Sequence, residues 1–204
     1  MQFSVYAVAS LIELLKRQRD AIGLSLFDEQ LNLHTANKSS QRHHVYLYSE
    51  LEKLLQQYSS ENQKKTSTVQ ALHDIAELCH KRSLVIVFSD LLDDPDRMDD
   101  LFEALNHLKH NKHEVVLFHV TNKKEEVLFE LENRPYTFVD MESGEKLRLQ
   151  PSEIKEKYTA DIQQYFDEIK YRCAKFNIDF MPADIQEGYE QILLKYLIKR
   201  SKMG

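Results

Sequence analysis

The chain predicts an α/β protein: a mostly parallel sheet with helices packed on both faces. Three observations lead there. Leu84-Val85-Ile86-Val87-Phe88 is an unbroken apolar run rich in β-branched and aromatic side chains, which suits a strand buried on both faces. Glu114 to Val120 repeats that pattern. Between and around them, segments of helical and of strand period alternate, as they do when helices cover a parallel sheet.

The elements follow in order. Residues 3–18 place Phe3, Tyr6, Ala7, Leu11, Leu14 and Leu15 at helical spacing. Ala21 to Phe27 reads as a strand, with Leu31 to Thr35 as its hairpin neighbour. Val45 to Tyr58 is helical through Leu47, Leu51, Leu54 and Leu55; Ser59 to Lys65 is a polar loop. Thr68 to His80 sets Val69, Leu72, Ile75, Ala76 and Cys79 on one helical face. After the central strand, Asp96 is expected to cap a helix ending near His110, with Leu101, Phe102, Leu105 and Leu108 inward.

The second half is less regular. Phe129 to Leu149 predicts short antiparallel strands around a turn at Glu142-Ser143-Gly144. Pro151 opens a long helix to about Lys175, with Ile154, Tyr158, Ile162, Tyr165, Phe166 and Ile169 on one stripe. Asn177 to Met181 reads as one more strand and Tyr189 to Lys199 as a closing helix. Residues 1–204 are expected to form a single domain, with an irregular antiparallel insertion at about 126–150. No internal repeat or linker interrupts them.

Composition narrows the function classes. A net charge of −6 with acids and bases interleaved offers no general attraction to nucleic acid or anionic lipid. No apolar stretch reaches the length of a membrane span, and no signal-peptide pattern opens the chain. Cys79 and Cys173 fall in separate expected helices with nothing to pair them, which fits a reduced, cytoplasmic setting.

The strand at 84–89 ends in Ser89-Asp90, so a carboxylate stands at the carboxyl end of a buried strand, the edge where open α/β sheets hold ligands and metals. A Thr-rich stretch, Thr66-Ser67-Thr68, precedes the preceding helix. Together with the strand order, these features resemble the von Willebrand factor A fold. More closely, the chain resembles the bacterial domain-of-unknown-function family 58, which carries that fold. The resemblance rests on Gln18-Arg19-Asp20-Ala21-Ile22-Gly23-Leu24 with Phe27-Asp28, Ser89-Asp90-Leu91-Leu92-Asp93, His119-Val120, Phe138-Val139-Asp140-Met141-Glu142-Ser143-Gly144-Glu145, and Tyr158.

What the resemblance implies is a protein-binding module acting with a MoxR-type AAA+ ATPase in assembly or maturation. It also implies a metal-ion-dependent adhesion site, with Thr66 and Asp90 as candidate metal residues and Ser89 and Asp93 beside them on the interaction edge. One departure weakens the metal. The family's Asp-x-Ser-x-Ser loop follows a first strand, and only Met1-Gln2 precede the first helix here. One carboxylate and one hydroxyl fall short of the roughly six oxygens that Mg²⁺ takes. Mg²⁺ or Mn²⁺ is therefore expected only if the N-terminal loop is supplied. The expectation is that the natural protein supplies it upstream of Met1; the alternatives are dimerisation through the open sheet edge, swapping of an element, or acceptance of a partner's strand.

Other clusters have plainer readings. Asp90, Asp93, Asp94, Asp96, Asp99 and Asp100 lack the Gly and distal Glu of a calcium loop, and acids at a helix start suit its dipole. His107, His110 and His113 are three apart, but read as surface histidines near a helix end. His119 reads as a hydrogen-bonded core histidine, and Glu125-Glu126 as either near the same edge or a solvated loop. No Gly-rich phosphate loop, G-x-S-x-G or C-x-x-C is present, so no catalytic residue is assigned and the chain is not expected to be an enzyme. A metal-dependent hydrolase and a metal-independent structural subunit are the competing classes.

Overall fold

A computed structural model describes residues 1–28, 30–57, 68–80, 82–91, 97–110, 112–132, 134–139 and 146–202. Six α-helices and seven strands run in the order α1 (Gln2–Gln18), β1 (Ser25–Phe27), β2 (Leu31–His34), α2 (Gln41–Gln57), α3 (Thr68–Leu78), β3 (Leu84–Ser89), α4 (Met98–His110), β4 (Glu114–Thr121), β5 (Tyr136–Val139), β6 (Lys146–Leu149), α5 (Pro151–Lys175), β7 (Asp179–Asp184) and α6 (Tyr189–Ser201) among the described residues.

Three of the strands make the central sheet, in the order β3-β4-β7 and parallel throughout. β4 lies in the middle, and its burial shows it: Val115 to His119 are all buried. Its alternating side chains feed two cores. Val115 and Leu117 face α3, α4 and α5 through Leu72, Ile75, Leu105, Leu108 and Ile169. Val116 and Phe118 face α1 and α6 through Ala7, Leu11, Ile192 and Tyr196. Phe118 stacks on Phe88 of β3 at 4.6 Å between ring centroids and receives the edge of Tyr196 at 5.4 Å. The expected α/β class with helices on both faces of a parallel sheet is what forms.

The expected hairpin also forms, as β1-β2, but stands apart from the central sheet. Gly23 shows why a side chain is not tolerated in that approach: a Cβ there would sit 2.7 Å from the carbonyl oxygen of Thr35. A third core, built by Val5 and Ile12 of α1, Ile22, Leu24, and Leu47 and Leu51 of α2, holds the hairpin to the helices. β3 and β1 do not close on each other; a groove separates them.

Several boundaries shift from expectation. α2 starts at Gln41 rather than Val45, because the Ser40 hydroxyl and carbonyl both accept from the His43 N–H and satisfy the exposed helix end. β7 runs to Asp184, past Pro182, where the expectation stopped at Met181. β7 is an edge strand among the described residues, and proline costs no ladder bond on a free edge. A single π-helical turn, Lys123–Val127, follows β4 where only a loop was expected. β5 and β6 pair antiparallel as foreseen; the turn between them, the expected Asp96 cap and the Ser59–Lys65 loop lie outside the described residues.

Candidate functional site

All three parallel strands end on one edge, at Ser89, Thr121 and Asp184. Asp90 follows β3 with an exposed side chain. Its backbone is held from below: His119, buried on β4, donates from Nε2 to the Asp90 carbonyl oxygen at 3.0 Å. A carbonyl can only accept, so Nε2 carries the proton. The ring packs edge-on against Phe166 of α5 at 4.4 Å. Burial holds the His119 imidazole below its ordinary pKa, and the bond to Asp90 opposes that only in part.

The next residue is held just as firmly. Leu91 adopts a left-handed conformation, φ 53°, which a branched side chain disfavours. It is kept there by a fully buried side chain and by the Tyr165 hydroxyl, which donates to the Leu91 carbonyl at 2.7 Å. The Ser89 hydroxyl accepts the Leu91 N–H at 3.1 Å and so shapes the turn.

The other two strand ends bring more carboxylates. Glu126 lies in the π-helical turn, with its Oε2 accepting the Asn122 N–H at 2.9 Å and its backbone carbonyl accepting the Tyr158 hydroxyl at 2.9 Å. Its carboxyl pKa is pushed up, first by burial and then by the negative charges of Asp90, Glu125 and Asp184, against the Asn122 hydrogen bond. Asp184 Oδ1 accepts the backbone N–H of Gln186 at 3.1 Å and of Lys123 at 3.4 Å. Asn122 Oδ1 is buried with no hydrogen-bond partner among the described residues. The result is an acidic edge on a rigid mount.

Of the residues singled out from sequence, Asp90 and Ser89 sit on this edge; Thr66 and Asp93 lie outside the described residues. Glu125 and Glu126 do reach the same edge. Asp184 was not anticipated, since the strand was expected to end three residues earlier. Among the described residues, no group of three or more His, Cys, Asp or Glu side chains is arranged to hold a metal ion.

The histidines near the end of α4 need correction. His113 is buried, not on the surface, and accepts the Ser83 N–H at Nδ1, 3.1 Å away. His107 meets His73 of α3, Nδ1 to Nδ1 at 3.1 Å, and its Nε2 approaches Glu77 at 3.0 Å. Its partners come from the neighbouring helix, so spacing along one helix could not reveal them. Asp99, at the start of α4, is paired with Arg172 of α5.

A family model described as "Protein of unknown function DUF58" matches residues 2–165, from α1 into α5. The chain belongs to the DUF58 family. No curated protein and no solved structure matches it. The match to DUF58 takes in β3, β4 and the acidic edge as far as Glu126; β7 with Asp184, and α6, which complete the core around Phe118, lie beyond it. No helix of this DUF58 chain is long and apolar enough to cross a membrane among the described residues.

Proposed function

We propose that this DUF58 chain is a non-enzymatic assembly module, von Willebrand factor A-like in fold, that binds a partner protein at the carboxyl edge of its parallel sheet. A MoxR-type AAA+ ATPase is the partner we infer, on family resemblance. The observation that carries the reading is the mounting of Asp90: the buried His119 and the partly buried Tyr165, from different elements, hold the carbonyls of Asp90 and Leu91, while Asp90 itself is an exposed residue. A rigidly held exposed charge suits recognition, because little side-chain and loop entropy is lost on binding.

The same edge offers little to a hydrolase. His119 is enclosed by Phe166 and Phe180 and spends its N–H on a backbone carbonyl, so it does not face a substrate. The described donors do not close around Mg²⁺ or Mn²⁺ either, and the proposal takes no step through a metal. Glu126 and Asp184 add negative charge beside Asp90, which favours a basic patch on the partner. The test is a binding titration of the chain against the MoxR-type ATPase of the same genome, with ATP and with ADP. Saturable binding that weakens as salt is raised is expected; no binding in either nucleotide state would remove the ATPase from the proposal.

A further inference from the structure

His73 of α3 and His107 of α4 meet across two helices, Nδ1 to Nδ1 at 3.1 Å. The helices themselves are fixed by packing. Leu72 and Ile75 of α3 share one core with Leu105 and Leu108 of α4, and the two histidines stand partly exposed beside these residues. The outer nitrogen of His107 settles which atoms carry protons. Nε2 lies 3.0 Å from Glu77 Oε1, and a carboxylate only accepts, so Nε2 is protonated. In the neutral ring Nδ1 then holds a lone pair, and His73 donates to it from its own Nδ1. A carboxylate on one nitrogen and a lone pair on the other is how metal-bound imidazoles are oriented.

We infer that His73 and His107 together bind one late first-row divalent cation, of the Ni²⁺, Cu²⁺ and Zn²⁺ class, through both Nδ1 atoms. The spacing supports it. With bonds of about 2.0–2.1 Å, nitrogens 3.1 Å apart subtend about 100° at a shared ion, between the square-planar and tetrahedral values. The rings, tilted 49° to each other and partly exposed, have room to turn their lone pairs onto that point. The protons balance as well. His73 gives up its Nδ1 proton and takes one from solvent at Nε2, while His107 keeps its Nε2 proton on Glu77, so a neutral pair takes the ion without net proton release. Water completes the coordination, since no third His, Cys, Asp or Glu among the described residues joins the pair. Two imidazoles disfavour Mg²⁺, which takes oxygen ligands.

The pair is separate from Asp90 in place as well as in chemistry. His107 lies near the end of α4 that leads into the start of β4, towards the amino edge of the sheet. An ion held there clips α3 to α4 and stabilises the folded chain. The inference goes beyond the protein-binding proposal and does not rest on it.

Zn²⁺ is the probe, in titration calorimetry, thermal melts and long-range proton–nitrogen spectra of the histidine rings, with Mg²⁺ as the control ion. One equivalent is expected to bind, shifting the Nδ1 resonances of His73 and His107 and raising the melting temperature as Zn²⁺ is added. His73→Ala and His107→Ala are each expected to bind at least about tenfold more weakly and to lose that rise, while His43→Ala matches the parent. The ring spectra decide on the parent chain alone, whether or not a variant folds. Zn²⁺ taken up with parental affinity by either folded alanine variant would be an adventitious ion only, and would overturn the site. So would coordination through Nε2, or no binding by the folded parent. Equal shifts with Mg²⁺ would show a mere effect of charge and overturn it too.

Discussion

His119 Nε2 donates a hydrogen bond to the carbonyl oxygen of Asp90 across 3.0 Å, tying the middle strand of the sheet to the loop that follows its neighbour. Tyr165 does the same for Leu91 from the long helix α5. Removing one such bond leaves a partly buried carbonyl to find water. Tyr165→Phe should therefore cost about 1 kcal/mol, and His119→Leu a similar amount or slightly more. Urea denaturation of each variant measures this, and hydrogen exchange should show faster opening at Leu91 in both.

The same histidine sets a pH dependence. Its folded-state pKa lies below the ordinary value, so between the two the unfolded chain binds more protons. Its contribution to stability is whole above about pH 6.5 and declines as pH falls from there toward the folded value. His113, also held down by burial, acts in the same direction. His119→Gln should flatten the stability curve between about pH 6.5 and 5 relative to the parent, leaving the His113 share. Denaturation midpoints across that range would show it.

Glu126 works in the opposite sense. Its pKa is raised by burial and by neighbouring carboxylates, so the folded chain holds the proton longer than the unfolded one. The favourable protonated state is lost as pH rises through the raised value. Glu126→Gln keeps an acceptor for the Asn122 N–H and carries no charge. It should be more stable than the parent at pH 7.5, with the advantage vanishing toward pH 4.5 where the parent's carboxyl is protonated too. Melting temperatures at the two pH values test the sign.

Core packing sets the largest effects. Phe118 is fully buried between Phe88 and Tyr196, so Phe118→Ala should cost about 3–5 kcal/mol. Leu147, exposed on β6, should change stability by less than about 0.5 kcal/mol when replaced by Lys.

Much of the fold was legible because burial writes itself into period. The runs at 84–88 and 114–120 announced the central strands, and the stripe from Ile154 to Ile169 announced α5. Pro182 concealed the end of β7, since the tolerance of an edge for proline depends on which strand lies outermost, a tertiary fact. The Lys123–Val127 turn has no apolar pattern to betray it. At the site, Ser89-Asp90 was visible as a polar pair closing an apolar run. Its supports were half visible: His119 reads as a core histidine, but its acceptor is a backbone carbonyl, which every residue possesses. Asp184 joined the edge only through the extension of β7.

The central claim is that the acidic edge binds a partner, and affinity for the MoxR-type ATPase tests it most directly. Asp90→Ala and Asp184→Ala are compared with the parent and with Glu156→Ala, an exposed residue on α5, at matched salt. The account predicts affinity about tenfold weaker for Asp90→Ala, a smaller loss for Asp184→Ala, and parental binding by Glu156→Ala. Parental affinity in Asp90→Ala, with the chain fully folded, would contradict it.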